Sequence, residues 1–555
     1  MATDALSGPD GVQQRPEVGF FAGRRGRALR DNLTAYLFLA PAALIIFTFG
    51  IFPVFYAAYV SMFKWRIKQG EFRGLGNFVS AMGDVAYMFF FLAAIALAYV
   101  AVTTAIKAYR TARDNDIPYH FPIVNLLPGA LLSLGLVLIL LRCITFFTQQ
   151  DAIDAGFAQV LGSIPGGLAA VAAGAAVSFF INRWQHRTAA SSEHAILPSF
   201  AGPALTFLLT ASIAFYLGYF TYTELTGSER VGLAIIRVYI MAGGIGILGV
   251  AFGIWRWAMG QHSNIKTILG ILAAAGFIGA GVYFSIFWPI ISKDADPDFY
   301  RSLLVTVYFS AGTVPIQLAI AVILAYLLFQ DIRFKGLFRV VFFIPYMAPS
   351  VAAAGIFQVL FSARDSSIVN RVLRSMTGLF GDPQPLRWLQ ESDFALSQLG
   401  QAFGLDAAVN WTVGPSLALV VVILYSIWVY VGYNTVIFLA GLGNIPGELY
   451  DAAEIDGAGR WALFRHITLP LLSPITFFLS VLAVIGTFKA FNSIWVLRSN
   501  QALGTVDTAS IFFFEEFFRG ARFGYATSMA IVLFAIILLL TLLQNRLAEG
   551  RVHYG

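Results

Sequence analysis

YDAAEIDGAGRWALFRHITLPLLSP, residues 450–474, differs in character from the long apolar segments on either side of it. The stretch combines carboxylates, basic and imidazole groups, two glycines and a Leu-Pro pair: Asp451, Glu454, Asp456, Gly457, Gly459, Arg460, Arg465, His466 and Leu469–Pro470. A charged, amphipathic segment between two very apolar ones raises the question of what it contacts.

The first half of this segment predicts a short helix. Pro446 suits the first turn of a helix, and Glu448 suits the positive end of the helix dipole. Leu449, Ala452 and Ala453 then recur at helical spacing and form one narrow face of small and apolar groups.

The second half predicts a turn and another short helix. Gly457 and Gly459 are both expected to adopt backbone angles closed to other residues, which lets the first helix stop and the chain turn. A second helical stretch follows, and Leu469–Pro470 is expected to end it and to begin the next apolar span. We call residues 446–470 the elbow.

Two interpretations of the elbow are open on these grounds. It could be an amphipathic connector that lies at a membrane surface. Alternatively, it could dock into a groove on a soluble partner, with its alanines allowing close approach and Asp451 offering a charge to an opposite Lys or Arg. The residues alone favour neither.

The composition places the chain among polytopic membrane proteins. Of 555 residues, 58% are hydrophobic and only 12% are charged, and the mean hydropathy is +0.75. Soluble domains carry about 25% charged residues. The net charge of +6 comes mainly from Lys and Arg between apolar runs, which favours contact with membrane lipid headgroups over binding to nucleic acid.

The apolar segments predict an all-α protein with twelve membrane spans, because a helix needs about 20 apolar residues to cross the hydrocarbon core. The predicted spans are 33–62, 84–106, 122–146, 157–181, 198–222, 232–255, 267–291, 301–329, 337–361, 416–441, 471–495 and 525–545. Prolines 41, 53, 345 and 349 are expected to kink the spans that contain them.

The distribution of Lys and Arg predicts that both termini lie in the cytosol, since short cytosolic segments carry more basic residues than external ones. Residues 1–32 then form a cytosolic arm, and the elbow is cytosolic as well. Four cations disagree with this bias, because Lys64, Arg66, Lys68 and Arg73 fall on the outer side. The protein is expected in the inner or plasma membrane.

The elbow resembles the EAA loop of permease subunits in binding-protein-dependent ABC importers. The resemblance rests on the spacing of DAA, Gly457, Ile467 and Leu469–Pro470, with apolar spans on both sides. It implies that the elbow forms the coupling helices that sit on the ATPase, through Asp451, Ala452, Ala453, Asp456, Gly457, Phe464, Leu469 and Pro470. This sequence departs from the family pattern at Asp451, where Glu is usual, so the charge is kept but the side chain is shorter.

Other stretches are similar to the maltose-type branch of sugar permeases, and to its MalF-like subunit. Residues 33–83 resemble the first core span and the external segment after it, and residues 296–555 resemble the remainder of a permease core of the type I importer class with about six helices. Residues 84–291, with about six spans, have no counterpart in this resemblance. An even number of spans returns the chain to the same side. This insertion is expected to be either a peripheral helical layer or a docking or regulatory module.

The resemblance implies a transport subunit rather than an enzyme. The sequence has no G-x-x-x-x-G-K-[ST] phosphate loop, so we expect ATP and Mg to bind a separate ABC ATPase dimer, and we expect no cofactor, metal or catalytic residue in this chain. The implied partners are that ATPase, a second, MalG-like permease subunit and an extracytoplasmic solute-binding protein. The implied substrate is a disaccharide or oligosaccharide, although glycerol phosphate esters stay open.

Polar residues in the spans that flank the elbow are the candidate substrate site, because polar groups inside a membrane are costly and usually functional. The candidates are Tyr433, Asn434, Thr487, Lys489 and Asn492, with Gln317 as a weaker one. Tyr433 resembles, by its distance before the EAA loop, a sugar-contacting tyrosine of maltose-type permeases. Equally, Tyr433 could be helix packing, and Lys489 could reach the outer headgroups.

Two rival functions remain on the sequence. A gradient-driven secondary transporter would share the composition, but it should show two related halves and buried charges, and the elbow would then lack a purpose. A membrane enzyme needs a cluster of His or carboxylates, whereas the six His are scattered over separate segments.

Overall fold

A computed structural model describes residues 24–115, 117–118, 120–148, 165–188, 200–227, 231–258, 263–291, 293–377, 385–395, 397–398, 414–502 and 504–548. Within these residues the protein is helical, and its only strand-like contacts are two isolated bridges, Phe63 with Phe72 and Phe394 with Ser416. The chain divides into two compact units, residues 1–57 and 58–555.

The helices up to the end of the insertion are α1 (Arg24–Ile46), α2 (Phe52–Ser61), α3 (Gly76–Met82), α4 (Val85–Asp114), α5 (His120–Val124), α6 (Leu126–Thr148), α7 (Pro165–Thr188), α8 (Ala201–Gly227), α9 (Val231–Ala258) and α10 (Ser263–Ile291). A π-helical turn, Phe47–Ile51, joins α1 to α2 just before Pro53. Pro53 lacks an N–H donor, so the expected irregularity takes the form of this turn.

The remaining helices are α11 (Pro297–Phe329), α12 (Lys335–Met347), α13 (Ser350–Leu360), α14 (Ile368–Thr377), α15 (Leu417–Leu442), α16 (Gly447–Ile455), α17 (Arg460–Leu463), α18 (Leu469–Leu471), α19 (Ser473–Phe488), α20 (Asn492–Leu497), α21 (Ala509–Phe518) and α22 (Phe523–Ala548). A second π-helical turn, Phe464–Thr468, joins α17 to α18.

Nine helices in the described residues are long and apolar enough to cross a membrane, and eleven spans result if each of two bent helix pairs counts as one. The one predicted span that is not among these eleven is 267–291, the seventh in chain order, and it falls within α10. The span predicted at 157–181 is helical from Pro165, and its first residues lie outside the described part of the chain.

Two predicted spans differ from straight helices. The span predicted at 337–361 is broken between α12 and α13, which meet at 95° beside Pro349, so the kink expected there is confirmed and is larger than a simple bend. The span predicted at 471–495 ends earlier than predicted. Its helix α19 stops at Phe488, and only the short α20 follows.

The permease-like core is built around α15. Most of this helix is buried, and it packs along α11, against α12 and against α19. Gly432 permits the approach to α12, since a Cβ on it would lie 1.7 Å from the carbonyl oxygen of Phe342. Small residues let membrane helices come close together in this way.

The predicted insertion forms helix pairs that join the core on one side. Helix α4 packs against α8, α6 packs against α7 and α8, and α9 packs against α10. One apolar cluster links α4, α8, α9 and α10 to α3, α11 and α22, and its members include Val85, Phe90, Ile291, Phe299 and Met529. The insertion therefore contacts the core where it begins and where it ends.

Arg237, on α9, connects the two ends of the insertion. Its guanidinium lies 2.6 Å from the carboxylate of Asp84, just before α4, and also pairs with Asp294, just after α10. The Arg237 side chain is only 7% exposed. The insertion thus closes on itself at the point where it leaves the core.

Residues 362–415, between the predicted spans 337–361 and 416–441, include a packed segment. The buried Trp388 indole donates a 2.8 Å hydrogen bond to the side-chain oxygen of Asn370 on α14. Residues 378–384 and 399–413 lie outside the described residues.

Candidate functional site

The first helix of the elbow is α16, which follows Pro446 as predicted. Glu448 lies in its first turn, where a carboxylate is favoured by the helix dipole. None of the nine residues of α16 is buried in this chain. A helix this short is not stable in water by its own hydrogen bonds, so it needs packing from elsewhere.

Gly457 makes the turn after α16. Its φ of +81° lies in the left-handed region that glycine favours, and its N–H donates to the carbonyl of Glu454 at 3.0 Å. The expectation for Gly459 was wrong, because that residue has an ordinary extended backbone (φ −73°, ψ 164°) and serves as the N-cap of α17. One glycine therefore makes the turn.

The second half of the elbow runs on through Pro470. α17, the π-helical turn and α18 form one continuous helical segment, and the break comes at Leu472, where α19 starts with a 62° bend. The end predicted at Leu469–Pro470 therefore lies one residue before the observed end at Leu471. The π-helical turn was not predicted.

Two contacts hold the elbow to itself and to the core. The Tyr450 hydroxyl on α16 lies 3.0 Å from the Thr468 hydroxyl in the π-helical turn, so the two halves are hydrogen-bonded. Phe464 is buried, and its ring centroid lies 4.7 Å from that of Tyr326 near the end of α11. The elbow is thus fixed to a core span other than the two it directly connects.

The rest of the elbow surface is exposed. Asp451, Ala452, Asp456 and Gly457 are exposed, as are three charged or imidazole groups in the second half. Two large apolar side chains stand with them, Ile455 at 87% and Trp461 at 70% exposure. Within the described residues, no ion pair uses an elbow carboxylate.

Such a surface is suited to a protein partner. It combines carboxylates, small side chains and two exposed apolar groups on a segment whose base is packed into the core. Exposed apolar groups rimmed by polar ones mark interaction sites.

The upstream candidates Tyr433 and Asn434 lie in an aromatic part of α15. The Tyr433 ring stacks on Tyr346 of α12, with centroids 4.5 Å apart and planes at 23°. Tyr430 contacts the same Tyr346 at 5.9 Å. The sequence prediction missed Tyr346, whose signal was a polar aromatic residue between Pro345 and the break in a kinked span.

Buried polar atoms without partners lie on α15 and on α11, which packs along it. In the described residues, the side-chain nitrogen of Asn434 and the side-chain oxygens of Gln317 and Thr313 have no hydrogen-bond partner, and all three residues are at most 4% exposed. Buried polar groups normally find partners, and a buried one without a partner marks a place for water or a ligand.

The downstream candidates are not gathered with Tyr433. Thr487 is buried and donates a 2.8 Å hydrogen bond to the Ser310 hydroxyl, so it serves helix packing. Lys489, at the end of α19, and Asn492 are exposed. Among the described residues, no hydrogen bond or ring contact joins these three to Tyr433 or Asn434.

Comparison with known proteins gives the family. Residues 317–552 match the family described as binding-protein-dependent transport system inner membrane component. The lactose transport system permease protein LacF of Rhizobium radiobacter is 30% identical over 260 residues, which are 46% of this chain and 78% of that protein.

The chain is also similar to a second permease and to a solved structure. The arabinooligosaccharides transport system permease protein AraP of Bacillus subtilis (strain 168) is 28% identical over 46% of this chain and 72% of that protein. A crystal structure of a bacterial ABC transporter involved in the import of the acidic polysaccharide alginate has 21% identity and a TM-score of 0.39, over 47% of this chain and 83% of that chain. From the family match and the LacF alignment, the chain belongs to the inner membrane components of binding-protein-dependent transport systems.

Proposed function

We propose that this chain is the permease subunit of an ATP-driven importer of a disaccharide or oligosaccharide. The observation that carries the proposal is the elbow, an exposed two-helix segment that is anchored in the core by Phe464 and Tyr326. Family membership and the sugar substrates in the names of its relatives support it. The gradient-driven alternative gains nothing from these findings.

In this proposal the elbow transmits motion from a separate ATPase dimer, which binds ATP and Mg. The ATPase holds Asp451, Ala452, Ala453, Asp456 and Gly457, while Phe464, Leu469 and Pro470 join the elbow to the core. When the ATPase closes, the elbow moves as one body because Tyr450 and Thr468 hold its halves together. The attached helices α15 and α19 then tilt, and a central cavity in the pore opens alternately to the outside and to the inside of the cell.

The membrane arrangement follows from the same proposal. The elbow and both termini lie in the cytosol, a second permease subunit completes the pore, and a solute-binding protein delivers the sugar on the outer side. The chain itself then needs no cofactor.

The sugar is proposed to pass the tyrosines of α12 and α15. Tyr433 and Tyr346 offer aromatic faces to the apolar face of a sugar ring, and the unpaired Asn434 nitrogen offers a donor to its hydroxyls. Lys489 and Asn492 are exposed, and we propose that they contact the sugar only at the outer mouth of the pathway. Thr487 is proposed to act indirectly, by holding α19 to α11 through its hydrogen bond to Ser310.

Reconstitution tests the proposal. The chain is purified with its co-purifying subunits, placed in vesicles and supplied with a panel of radiolabelled disaccharides, oligosaccharides and glycerol phosphate esters. Uptake of a saccharide is expected only when ATP is present on the side of the membrane that carries the ATPase and binding protein is present on the other side. Uptake driven by an ion gradient without any ATPase would overturn the proposal.

A further inference from the structure

The four cations that disagree with the charge bias form one exposed hairpin. We define residues 62–73 as the basic hairpin. It carries Lys64, Arg66, Lys68 and Arg73 against one carboxylate, Glu71, and all five side chains are exposed. In the part of the chain that the structure describes, none of the four cations takes part in an ion pair or a side-chain hydrogen bond.

The hairpin is rigid rather than a loose loop. Main-chain hydrogen bonds run from Lys64 N to Glu71 O at 2.9 Å and from Arg73 N to Met62 O at 2.7 Å. Gly70 fits where no other residue would, because a Cβ on it would lie 2.3 Å from the Lys64 carbonyl oxygen. The rings of Tyr59, Phe63, Trp65 and Phe72 pack on one another at its base.

The base of the hairpin is tied to the core. The buried Asn77 side chain donates to the carbonyl oxygens of Ser61 and Phe63 at 2.7 and 2.8 Å. Gly524 N, in the first turn of α22, donates to the Trp65 carbonyl oxygen at 3.1 Å. The hairpin is therefore a fixed platform attached to a core helix.

The hairpin surface is a shallow, open depression with a basic rim. A cavity of about 550 Å³ is lined by Lys64, Arg66, Ile67, Lys68, Gly70 and Glu71. Ile67, 84% exposed, stands among the cations. An apolar side chain with a charged rim is the usual make-up of a protein interface.

From this charge, shape and position we propose that the basic hairpin docks an acidic surface of the extracytoplasmic solute-binding protein. This inference rests on the proposed function and on the outer location of residues 62–73. Short outer segments rarely keep several Lys and Arg, so four exposed ones with no partner among the described residues indicate a partner outside the chain. Complementary charge speeds encounter and fixes the docked orientation.

Charge reversal at the hairpin tests the inference in the complete transporter in nanodiscs. The variant Arg66→Glu/Lys68→Glu is compared with Arg364→Glu/Arg371→Glu, which makes the same change in net charge at two exposed arginines of the 362–377 segment. The measurement is ATP hydrolysis as a function of the concentration of the system's purified solute-binding protein, at two salt concentrations.

The hairpin variant is expected to need about tenfold or more binding protein for half-maximal stimulation and to lose most of its salt dependence, because rim charges act on association. Basal hydrolysis should be unchanged, and the control pair should stay within about twofold of the wild type. An unchanged half-maximal concentration, or equal weakening by both pairs, overturns the inference.

A second measurement avoids dependence on the folding of the variant. A photoreactive phenylalanine analogue at Ile67 is expected to crosslink to the binding protein in the otherwise native complex. Crosslinking to phospholipid alone would assign the hairpin to membrane headgroups and overturn the inference. If the wild-type complex shows no stimulation by any binding protein, the proposed function itself has failed, which is a separate result.

Discussion

Gly457 links the two halves of the elbow in the left-handed region, at φ +81°. A Cβ at this position would meet no atom within 4 Å, so a side chain costs backbone strain alone, about 1–2 kcal/mol. A strain of that size changes the population of the native turn by about 5- to 30-fold. Gly457→Ala is therefore expected to reduce ATP-dependent uptake severalfold in vesicles.

The neighbouring Gly459 provides the matched control. It has ordinary backbone angles at the N-cap of α17, where serine is a preferred residue. Gly459→Ser should leave uptake and binding of the ATPase close to the wild-type values. Equal loss in both variants would show that the strain at Gly457 is not the cause.

Arg237 carries the second residue-scale prediction, because it is a buried charge between two carboxylates. Removing one partner of a buried ion pair costs about 3–5 kcal/mol, and we expect the lower end here, since the Asp294 side chain is 39% exposed. Arg237→Met should thus lower the thermal unfolding midpoint of the detergent-solubilised protein.

Arg301 is the control for this effect. Its 3.4 Å pair with Asp298 is exposed on both sides, and such pairs contribute about 0–1 kcal/mol. Arg301→Met should leave the midpoint almost unchanged. If Arg237→Met does the same, the pairing at the junction does not stabilise the fold.

At the scale of elements, the elbow behaves as one body only if its helices stay joined. The Tyr450–Thr468 hydrogen bond joins them at 3.0 Å, and such a bond contributes about 0.5–1.5 kcal/mol. Tyr450→Phe and Thr468→Val are expected to keep ATP hydrolysis but to lower the amount of sugar moved per ATP.

Thr468→Ser keeps the hydroxyl and should keep the wild-type ratio of transport to hydrolysis. Thr468→Val also removes the hydrogen bond that the Thr468 hydroxyl donates to the Leu463 carbonyl oxygen. The double variant Tyr450→Phe/Thr468→Val should therefore be no worse than Thr468→Val alone, because that single change already removes the shared bond. Additive losses would contradict a shared role for the two hydroxyls.

The stacked tyrosines of α12 and α15 form the other element-scale prediction. If a sugar ring packs on them, Tyr433→Ala and Tyr346→Ala each remove an aromatic face worth about 0.5–1.5 kcal/mol. The concentration of sugar in proteoliposomes that gives half-maximal uptake should rise about 2- to 10-fold, whereas Tyr433→Phe and Tyr346→Phe keep the face and should show less change. Unaltered uptake in both alanine variants would remove these residues from the pathway.

The helical spans were predictable because the length of an apolar segment is a local property of the sequence. α15 and α11 lie within a few residues of the spans predicted for them. The sharp bend between α12 and α13 was predicted only as a kink, since Pro349 indicates a break but packing sets its angle.

In the elbow, too, local sequence predicted some features and tertiary packing determined the others. Pro446 and Gly457 placed its first helix and its turn, whereas the π-helical turn and the Phe464–Tyr326 contact depend on tertiary packing. The Arg237 pairs join residues 57 or more positions apart, and the sequence carried no local signal for them.

At the scale of the whole molecule, the insertion leaves and rejoins the core at adjoining points. A Cβ on Gly83 would lie 3.0 Å from the backbone nitrogen of Ala295, and Asp296 N donates to the Ala81 carbonyl oxygen at 3.1 Å. The core backbone is therefore continuous in space across the insertion, as a peripheral helical layer requires.

This continuity predicts that the insertion can be excised. We expect a variant in which residues 86–292 are replaced by about four glycine and serine residues to insert in the membrane, since such a linker spans roughly 10–12 Å. The faces of α3 and α22 that the insertion covers would then contact lipid, and lipid tails are as apolar as the side chains they replace. ATP-dependent uptake should therefore persist, although the thermal unfolding midpoint should be lower. Replacing only residues 120–258 by the same linker serves as the control, because it joins α4 to α10 without restoring the short connection. Both variants lose Arg237, but only the control keeps α4 without its partner α8 and α10 without its partner α9, so we expect it to be the less stable of the two. If the first variant is inserted and assembles with its ATPase yet moves no sugar, the insertion belongs to the transport pathway and is not a peripheral layer.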